Sequence, residues 1–320
     1  MKAVYVTGCL GFIGSYVTRA CLKQGWYVKG IDKMTYAARP ELLKEFEKWE
    51  TFSFMKEDIS YLETIHDCDY VINLAAESHV GNSIVSSDEF ISSNINGVHN
   101  LLELIRLNKY DDMPTFLHFS TDEVYGDIVE GEHTEKDILK PSNPYSASKA
   151  AADQLVLAWN RTYDLPYIIV RPTNNYGVGQ YTEKLIPKVC KYLRLDKKIP
   201  LHNNGTPIRN WLHAEDTARA IITIIKSNSK NEIYNIAGGF EQTNFVTVKK
   251  VIGEYNRGIY INPNEVKVED YADLSYSRIG QDVRYALNDD KLRSLGWEPK
   301  IDFDKELDKI VKYYQNNFIW

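Results

Sequence analysis

Val4-Tyr5-Val6-Thr7-Gly8-Cys9-Leu10-Gly11-Phe12-Ile13-Gly14 passes from an apolar, strand-like run into glycines spaced by three. Phe12 to Lys23 then carries apolar residues at helical spacing. A second apolar run, Trp26 to Ile31, ends in Asp32. Strand, glycine turn, helix and strand in this order make a βαβ unit of a parallel sheet. Glycines in such a turn let the backbone approach a pyrophosphate, and the helix start adds N–H donors and a positive dipole end. An acid closing the second strand accepts from an adenosine ribose and disfavours a 2′-phosphate. Gly8, Gly11, Gly14 and Asp32 therefore predict bound NAD rather than NADP. Asp58 is an adenine-side candidate that could equally cap the next helix.

Further strands are expected at Phe52 to Met55, Tyr70 to Leu74, Thr115 to Phe119 and Tyr167 to Val170. Helices are expected at Pro40 to Trp49, at Ser83 to Leu107 with a break near Asn94, and at Tyr145 to Tyr163. This alternation predicts an α/β fold, a doubly wound parallel Rossmann sheet over residues 1–172. Past Arg171-Pro172 the character changes. Thr173 to Gly179 reads as a loop, Leu185 to Leu193 as a helix and Asn203 to Pro207 as a turn. Ala214 to Lys226 and Ile233 to Ile236 read as a returning helix and strand, so 211–236 is expected to rejoin the first domain. Residues 173–210 and 237–320 are then a smaller C-terminal α/β substrate-binding domain.

Ser120-Thr121-Asp122-Glu123-Val124-Tyr125-Gly126 follows the apolar strand Thr115 to Phe119. Two neighbouring carboxylates there sit past a strand's carboxyl end, where ligands bind in open α/β sheets. Such a pair serves elimination if one acid donates a proton and the other accepts one, with environments that push their pKa values apart. Spacing does not say which is which, and a solvated acidic loop is the plain alternative. Some twenty residues on, Tyr145 and Lys149 share one helix face. A nearby ammonium ion lowers a phenol's pKa and makes it a usable base.

The 320 residues carry net charge −6. Basic residues are dispersed, which argues against nucleic acid as a partner. Cys9, Cys21, Cys68 and Cys190 are scattered, so neither a disulfide framework nor a metal site is indicated. No apolar run is long enough to span a membrane, and no signal-peptide pattern opens the chain. A cytoplasmic protein is expected.

Taken together, the chain resembles the extended short-chain dehydrogenase/reductases, and among them the nucleotide-sugar 4,6-dehydratases of the dTDP-glucose type. The resemblance runs from the first strand to about Trp297. It rests on Asp32-Lys33-Met34-Thr35-Tyr36-Ala37, Leu74-Ala75-Ala76-Glu77-Ser78-His79-Val80, the Thr121-Asp122-Glu123 triplet and Pro144-Tyr145-Ser146-Ala147-Ser148-Lys149. Asn174-Asn175-Tyr176-Gly177, Glu183-Lys184-Leu185-Ile186-Pro187 and Arg209-Asn210-Trp211-Leu212 complete it. The resemblance implies that Tyr145 takes the proton of the sugar's 4-hydroxyl while Thr121 bonds the same oxygen. It implies that Glu123 removes the hydrogen on carbon 5 and Asp122 protonates the departing 6-hydroxyl. Implied cofactor contacts are Phe12, Ile13, Asp32, Lys33, Met34, Thr35, Asp58, Ile59, Leu74, Ala75, Ala76, Ser93, Tyr145, Lys149 and Asn175. Implied substrate contacts are Ser78, Thr121, Asn174, Lys184, Leu185, Arg209, Asn244, Arg278, Gln281 and Asp282, with Pro200, Leu201 and His202 near the nucleobase.

Cys9-Leu10 stands where the family has Gly-Ala, Pro200-Leu201-His202 where it has Pro-Ile-Tyr, and Ile279 and Gln281 where it has Pro and His. These changes surround the nucleotide end and leave dTDP-glucose and UDP-glucose both open as substrates. A UDP-sugar 4-epimerase needs Tyr145, Lys149 and NAD but no acid pair, and a non-catalytic NAD sensor needs neither couple. The resemblance also implies a homodimer formed through Ser83 to Leu107 and Tyr145 to Tyr163.

Overall fold

The computed structural model describes residues 1–108, 112–257, 265–280 and 282–317. Strands of the large sheet are β1 (Ala3–Thr7), β2 (Tyr27–Asp32), β3 (Phe52–Lys56), β4 (Tyr70–Asn73), β5 (Thr115–Phe119) and β6 (Tyr167–Pro172). Shorter or later strands are β7 (Asn174–Tyr176), β8 (Ile199–Pro200), β9 (Ile208–His213), β10 (Glu232–Ile236), β11 (Glu241–Thr243) and β12 (Ala272–Asp273). Helices are α1 (Phe12–Lys23), α2 (Leu43–Phe46), α3 (Val80–Val85), α4 (Asp88–Phe90), α5 (Gly97–Leu107) and α6 (Pro144–Tyr163). They continue with α7 (Leu185–Arg194), α8 (Ala214–Lys226), α9 (Asn244–Tyr255), α10 (Asp290–Arg293) and α11 (Phe303–Asn316).

Seven strands form one parallel sheet in the order β10-β6-β5-β4-β1-β2-β3. Every residue of β4, β5 and β6 is buried, because helices cover both faces and leave no polar side to alternate with. One apolar core lies under α1 and α8 (Val17, Leu22, Ile221, Ile225). Another lies under α5 and α6 (Leu101, Ile105, Val156). Strand order reverses at β1, and a crevice opens beyond the carboxyl ends of β1 and β4.

A separate apolar cluster joins α7, α9 and α11 around Val189, Val251 and Leu307. Over it lies a three-stranded sheet, β11-β9-β7. Asn174–Tyr176, read from its composition as loop, is a short strand here, paired in parallel with Trp211–His213. Nothing local in Asn-Asn-Tyr favours a strand, and the pairing is imposed by β9. β9 extends to His213 in this second sheet, α8 follows it and packs in the core of the large sheet with α1, and β10 then joins that sheet's edge.

The expected long helix at Ser83 to Leu107 is interrupted twice. Ser86 and Ser87 separate α3 from α4, and Ile91–Asn96 widens into a π-helical turn. Asn94 is fully buried there. Its side chain accepts from the Glu77 N–H at 2.8 Å and donates to Glu77 O at 3.0 Å and Ser148 Oγ at 2.9 Å. One bulge thus ties the loop after β4 to α6, in keeping with the habit of π-turns to sit at functional sites.

Candidate active site

A cavity of about 300 Å³ lies over the carboxyl ends of β1, β4 and β5. Gly8 takes φ +67°, and a Cβ there would sit 2.8 Å from the Ala75 nitrogen. At Gly14 a Cβ would sit 1.9 Å from Gly8 O. Both positions therefore demand glycine, one for backbone shape and one for the close packing of α1 on its own turn. Gly11 caps α1 with extended backbone. Asp32 accepts the Leu10 N–H at 3.0 Å and the Met34 N–H at 2.7 Å. Those bonds lower its pKa, but burial outweighs them and leaves it raised. Lys33 Nζ reaches Ser93 Oγ at 2.9 Å and Asp58 at 3.4 Å. Asp58 also accepts the Ser60 N–H at 2.9 Å, so it shapes a turn as well as facing the cavity.

The acid pair begins a tight turn just past β5. Thr121 is extended, donates to Asp122 Oδ1 at 3.0 Å and accepts the Glu123 N–H at 3.3 Å. Gly126, at φ +84°, lets the chain pass Lys140 O, where a Cβ would come within 2.4 Å. Asp122 is 3% exposed, and burial, then the Glu123 charge, push its pKa up to about 8. Glu123 is also raised by burial, opposed by Arg209, Lys184, Arg278 and a hydrogen bond from Asn143. The two acids thus differ in their neighbours: cations converge on Glu123, while Asp122 has chiefly Thr121 and the Glu123 charge.

Pro144 opens α6, and Asn143 caps it through a capping box with Ser146. The same Asn143 donates to Glu123 Oε2 at 3.4 Å, so the helix cap also holds an acid. Tyr145 accepts nothing from Lys149 in this structure. Its phenol is raised, by burial first and the Glu123 charge second, with the Thr121 hydroxyl opposing. The expectation that Lys149 lowers the Tyr145 pKa is therefore corrected: desolvation of a nearly buried phenol beside two acids wins. Burial brings Lys149 down to about 8.

Of the sequence-predicted residues, Gly8, Gly11, Phe12, Ile13, Gly14, Asp32, Lys33, Thr35, Asp58, Ile59, Leu74, Ala75, Ala76 and Ser93 all line the cavity. So do Ser78, Thr121, Asp122, Glu123, Tyr145, Lys149, Asn174, Asn175 and Lys184. Met34, Leu185, Pro200, Leu201, His202, Arg209, Asn244, Arg278 and Asp282 are outside its lining. Met34 instead turns the chain at φ +61° with its N–H on Asp32. Leu201 packs in the second core, and Pro200 pairs with Asp273. Arg209, Arg278 and Asp282 form a shell behind Glu123. Arg209 donates to Asp282 O at 3.2 Å and lies 4.8 Å over the Tyr285 ring, while Tyr285 bonds the Asp282 carboxylate and approaches Glu123 Oε2 at 3.5 Å. Gln281 lies outside the described residues. Sequence reasoning missed Asn143 and Tyr285, which contact Glu123, and Glu77, Gln180, Tyr181 and Glu183, which wall the cavity. Asn143 carried a signal, an Asn before Pro at a helix start.

The sequence profile of the GDP-mannose 4,6 dehydratase family matches residues 5–310. The chain belongs to that family. A dTDP-glucose 4,6-dehydratase from Haemophilus influenzae is 40% identical over 99% of this chain and 99% of its own length. The solved structure of DesIV, a dTDP-glucose 4,6-dehydratase from Streptomyces venezuelae with NAD bound, is 32% identical. It covers 98% of this chain and 97% of that one at a TM-score of 0.88. A UDP-glucuronic acid 4-epimerase from Bacillus cereus, 23% identical over 98% of this chain and 99% of that one, reaches a TM-score of 0.87, which shows the shared fold alone. Backbone shape therefore does not separate the dehydratases from the epimerases of this fold. Among the described residues no group of three or more His, Cys, Asp or Glu is placed to hold a metal ion.

Proposed function

We propose that this protein is a nucleotide-sugar 4,6-dehydratase that acts on dTDP-glucose with NAD as resident cofactor. The observation that carries the reading is a single cavity walled by the glycine turn, the Tyr145–Lys149 couple and the Thr121-Asp122-Glu123 triplet. The turn fits a dinucleotide: Gly8 and Gly14 leave bare backbone where any Cβ would collide. Buried Asn174 Oδ1 lacks a hydrogen-bond partner among the described residues and belongs to a residue that lines the same space. When bound, NAD supplies a hydride acceptor for carbon 4 and a donor for carbon 6.

The chain's own residues do the rest. The turn and the start of α1 hold the pyrophosphate, Asp32 the adenosine ribose and Lys149 the nicotinamide ribose. Tyr145 takes the proton of the 4-hydroxyl from its ionised form, which burial and the two acids oppose and the Thr121 hydroxyl favours, and Thr121 bonds the same substrate oxygen. A ketone at carbon 4 acidifies the hydrogen on carbon 5, and Glu123 takes it. Asp122, still protonated near neutrality, gives its proton to the 6-hydroxyl as water leaves. With hydride back on carbon 6, carbon 5 regains a proton from Glu123; the product is a 4-keto-6-deoxy sugar nucleotide, and the cofactor ends each cycle as it began. Arg209 and Arg278 are assigned to the diphosphate and His202 to the nucleobase end. Residues 1–172 and 214–236 form the cofactor half and the remainder the sugar-nucleotide half. Four free cysteines support a cytoplasmic site of action, and exposed Ile84, Val85 and Ile91 support a homodimer through the α3–α5 face.

The test is incubation of the purified protein with dTDP-glucose and, separately, UDP-glucose. The 4-keto product should form from both, faster from dTDP-glucose by at most about 200-fold, the range one methyl group commands. A 4-epimer without keto product would replace the dehydratase reading with the epimerase one.

A further inference from the structure

A row of buried polar side chains crosses the large sheet beneath the active site. Thr7, Asn73 and His118 are register partners on β1, β4 and β5. Thr7 Oγ1 donates to Asn73 Oδ1 at 2.6 Å, and Asn73 Nδ2 lies 3.3 Å from His118 Nδ1. Since Asn73 Nδ2 is a donor, Nδ1 of His118 accepts, and its proton is on Nε2. Burial, with the Lys149 and Arg171 charges, holds this ring neutral. Its Nε2 points at Asp153 Oδ1, 3.7 Å away. Asp153 is fully buried on α6. Arg171 of β6 grips the other oxygen through Nε at 3.0 Å and Nη2 at 2.9 Å, and donates from Nη1 to Tyr125 OH at 2.7 Å.

The position of Asp153 is what gives this row a use. Tyr145, Lys149 and Asp153 are spaced by four on one helix, so Asp153 follows Lys149 by one turn on the same face, near enough for its charge to act on the ammonium without an ion-pair contact. We propose that Asp153 is a positioning residue for the Tyr145–Lys149 couple: clamped by Arg171 and facing neutral His118, it keeps Lys149 charged and aimed into the cavity. The proposal rests on the dehydratase reading for what the couple does, but not for the electrostatics.

Three facts support it. Lys149 is 2% exposed, and burial favours its neutral form, while Asp153 is the charge that opposes this. Arg171 holds only Asp153 Oδ2, so the other oxygen of the carboxylate is not consumed by it. The Ser120 hydroxyl, at the end of β5, faces the same carboxylate and belongs to the cavity wall. Other ionisable groups packed on α6 stand elsewhere. Asp122 and Glu123 face Tyr145. Glu103 bonds Trp159, and Arg106 lies over Tyr163, at the far end of the helix. Asp88 and Glu89 on α4 are exposed.

The experiment uses the full-length protein with ε-carbon-labelled lysine, the Lys149 signal being assigned with Lys149→Met. In Asp153→Asn the titration midpoint of Lys149 should fall by about one pH unit, which is a tenfold change in its charged fraction above the midpoint. The alkaline limb of kcat for dTDP-glucose should move down with it, with KM little changed. Asp153→Glu should restore most of both. An unmoved Lys149 titration, or a kcat reduced equally at every pH, would overturn the proposal and leave Asp153 a structural ion-pair partner of Arg171. If Asp153→Asn does not fold, Asp153→Ser is read in its place by the same criterion: a Lys149 midpoint below that of the wild type supports the proposal and an unmoved one overturns it. A wild-type protein inert toward dTDP-glucose would refute the dehydratase reading, while the lysine titration still decides this one.

Discussion

Asp122 is a carboxyl group kept neutral by its surroundings, and this has opposite consequences for activity and stability. Its folded pKa, about 8, lies above the ordinary carboxylate value. The folded state therefore binds the proton more tightly than the unfolded chain, so the stability it contributes is whole in acid and is lost as pH rises through about 8. Asp122→Asn removes that titration. At pH 8.5 the variant should melt at least about 2 °C above the wild type, and near pH 4 the difference should vanish. Dehydration should meanwhile drop by about 10²- to 10⁴-fold, the usual contribution of a general acid. Melting curves at the two pH values and product formation at pH 7.5 check this. Equal melting points at high pH would mean that the carboxyl is ionised in the fold. Two adjacent acids after an apolar strand were legible in the sequence, but their difference was not. Spacing left open which acid donates, because the cations that act on Glu123 come from positions 184, 209 and 278. Asn143 and Tyr285 escaped notice for the same reason: their contacts to Glu123 exist only after folding.

At the scale of elements, the β1–α1 turn separates what each glycine does. A Cβ at Gly14 would lie 1.9 Å from Gly8 O, whereas at Gly11 the nearest neighbour, the same oxygen, is at 3.2 Å. Gly14→Ala should therefore push α1 off its turn and cost about 1–3 kcal/mol, and the purified protein should carry little NAD. Gly11→Ala should keep most of its NAD. The ratio of absorbance at 260 and 280 nm after desalting reads both, and equal retention in the two variants would refute the steric account. This turn was readable because its chemistry is local and needs only strand, glycines and helix in sequence. The interruption at Asn94 was half readable. Polar residues marked a weak point in a helical pattern, but the π-turn depends on Glu77 and Ser148, which lie 17 and 54 residues away. Strand β7 was unreadable for the same cause, since only β9 makes Asn174–Tyr176 a strand.

The two sheets meet across the cavity, and the segment after β7 fastens one to the other. Tyr16 OH donates to Val178 O at 3.1 Å, and the Arg39 guanidinium lies against Gly179. Tyr36 OH donates to Glu183 Oε2 at 2.9 Å, and its ring meets Tyr181 edge-on with centroids 5.1 Å apart. Lys184 Nζ reaches back to Ser78 O at 2.7 Å. Tyr181, Glu183 and Lys184 wall the same cavity as Asp32 and Thr35, so this strap forms part of the wall around the space a dinucleotide would fill. A cofactor regenerated in every cycle gains nothing from release, and a wall that stays fastened slows it. The Tyr36–Glu183 bond is charge-assisted but partly exposed, which places its worth near the lower end of about 1.5–3 kcal/mol. Tyr36→Phe should therefore speed NAD loss by up to about tenfold while leaving the dehydration rate of the loaded enzyme within about twofold. Dilution into a trap of excess apoprotein, followed by residual NAD content over time, measures the release rate. Release as slow as in the wild type would show that the strap is held by its ring and backbone contacts and not by this hydroxyl. In that event the double variant with Glu183→Gln should also release NAD at the wild-type rate.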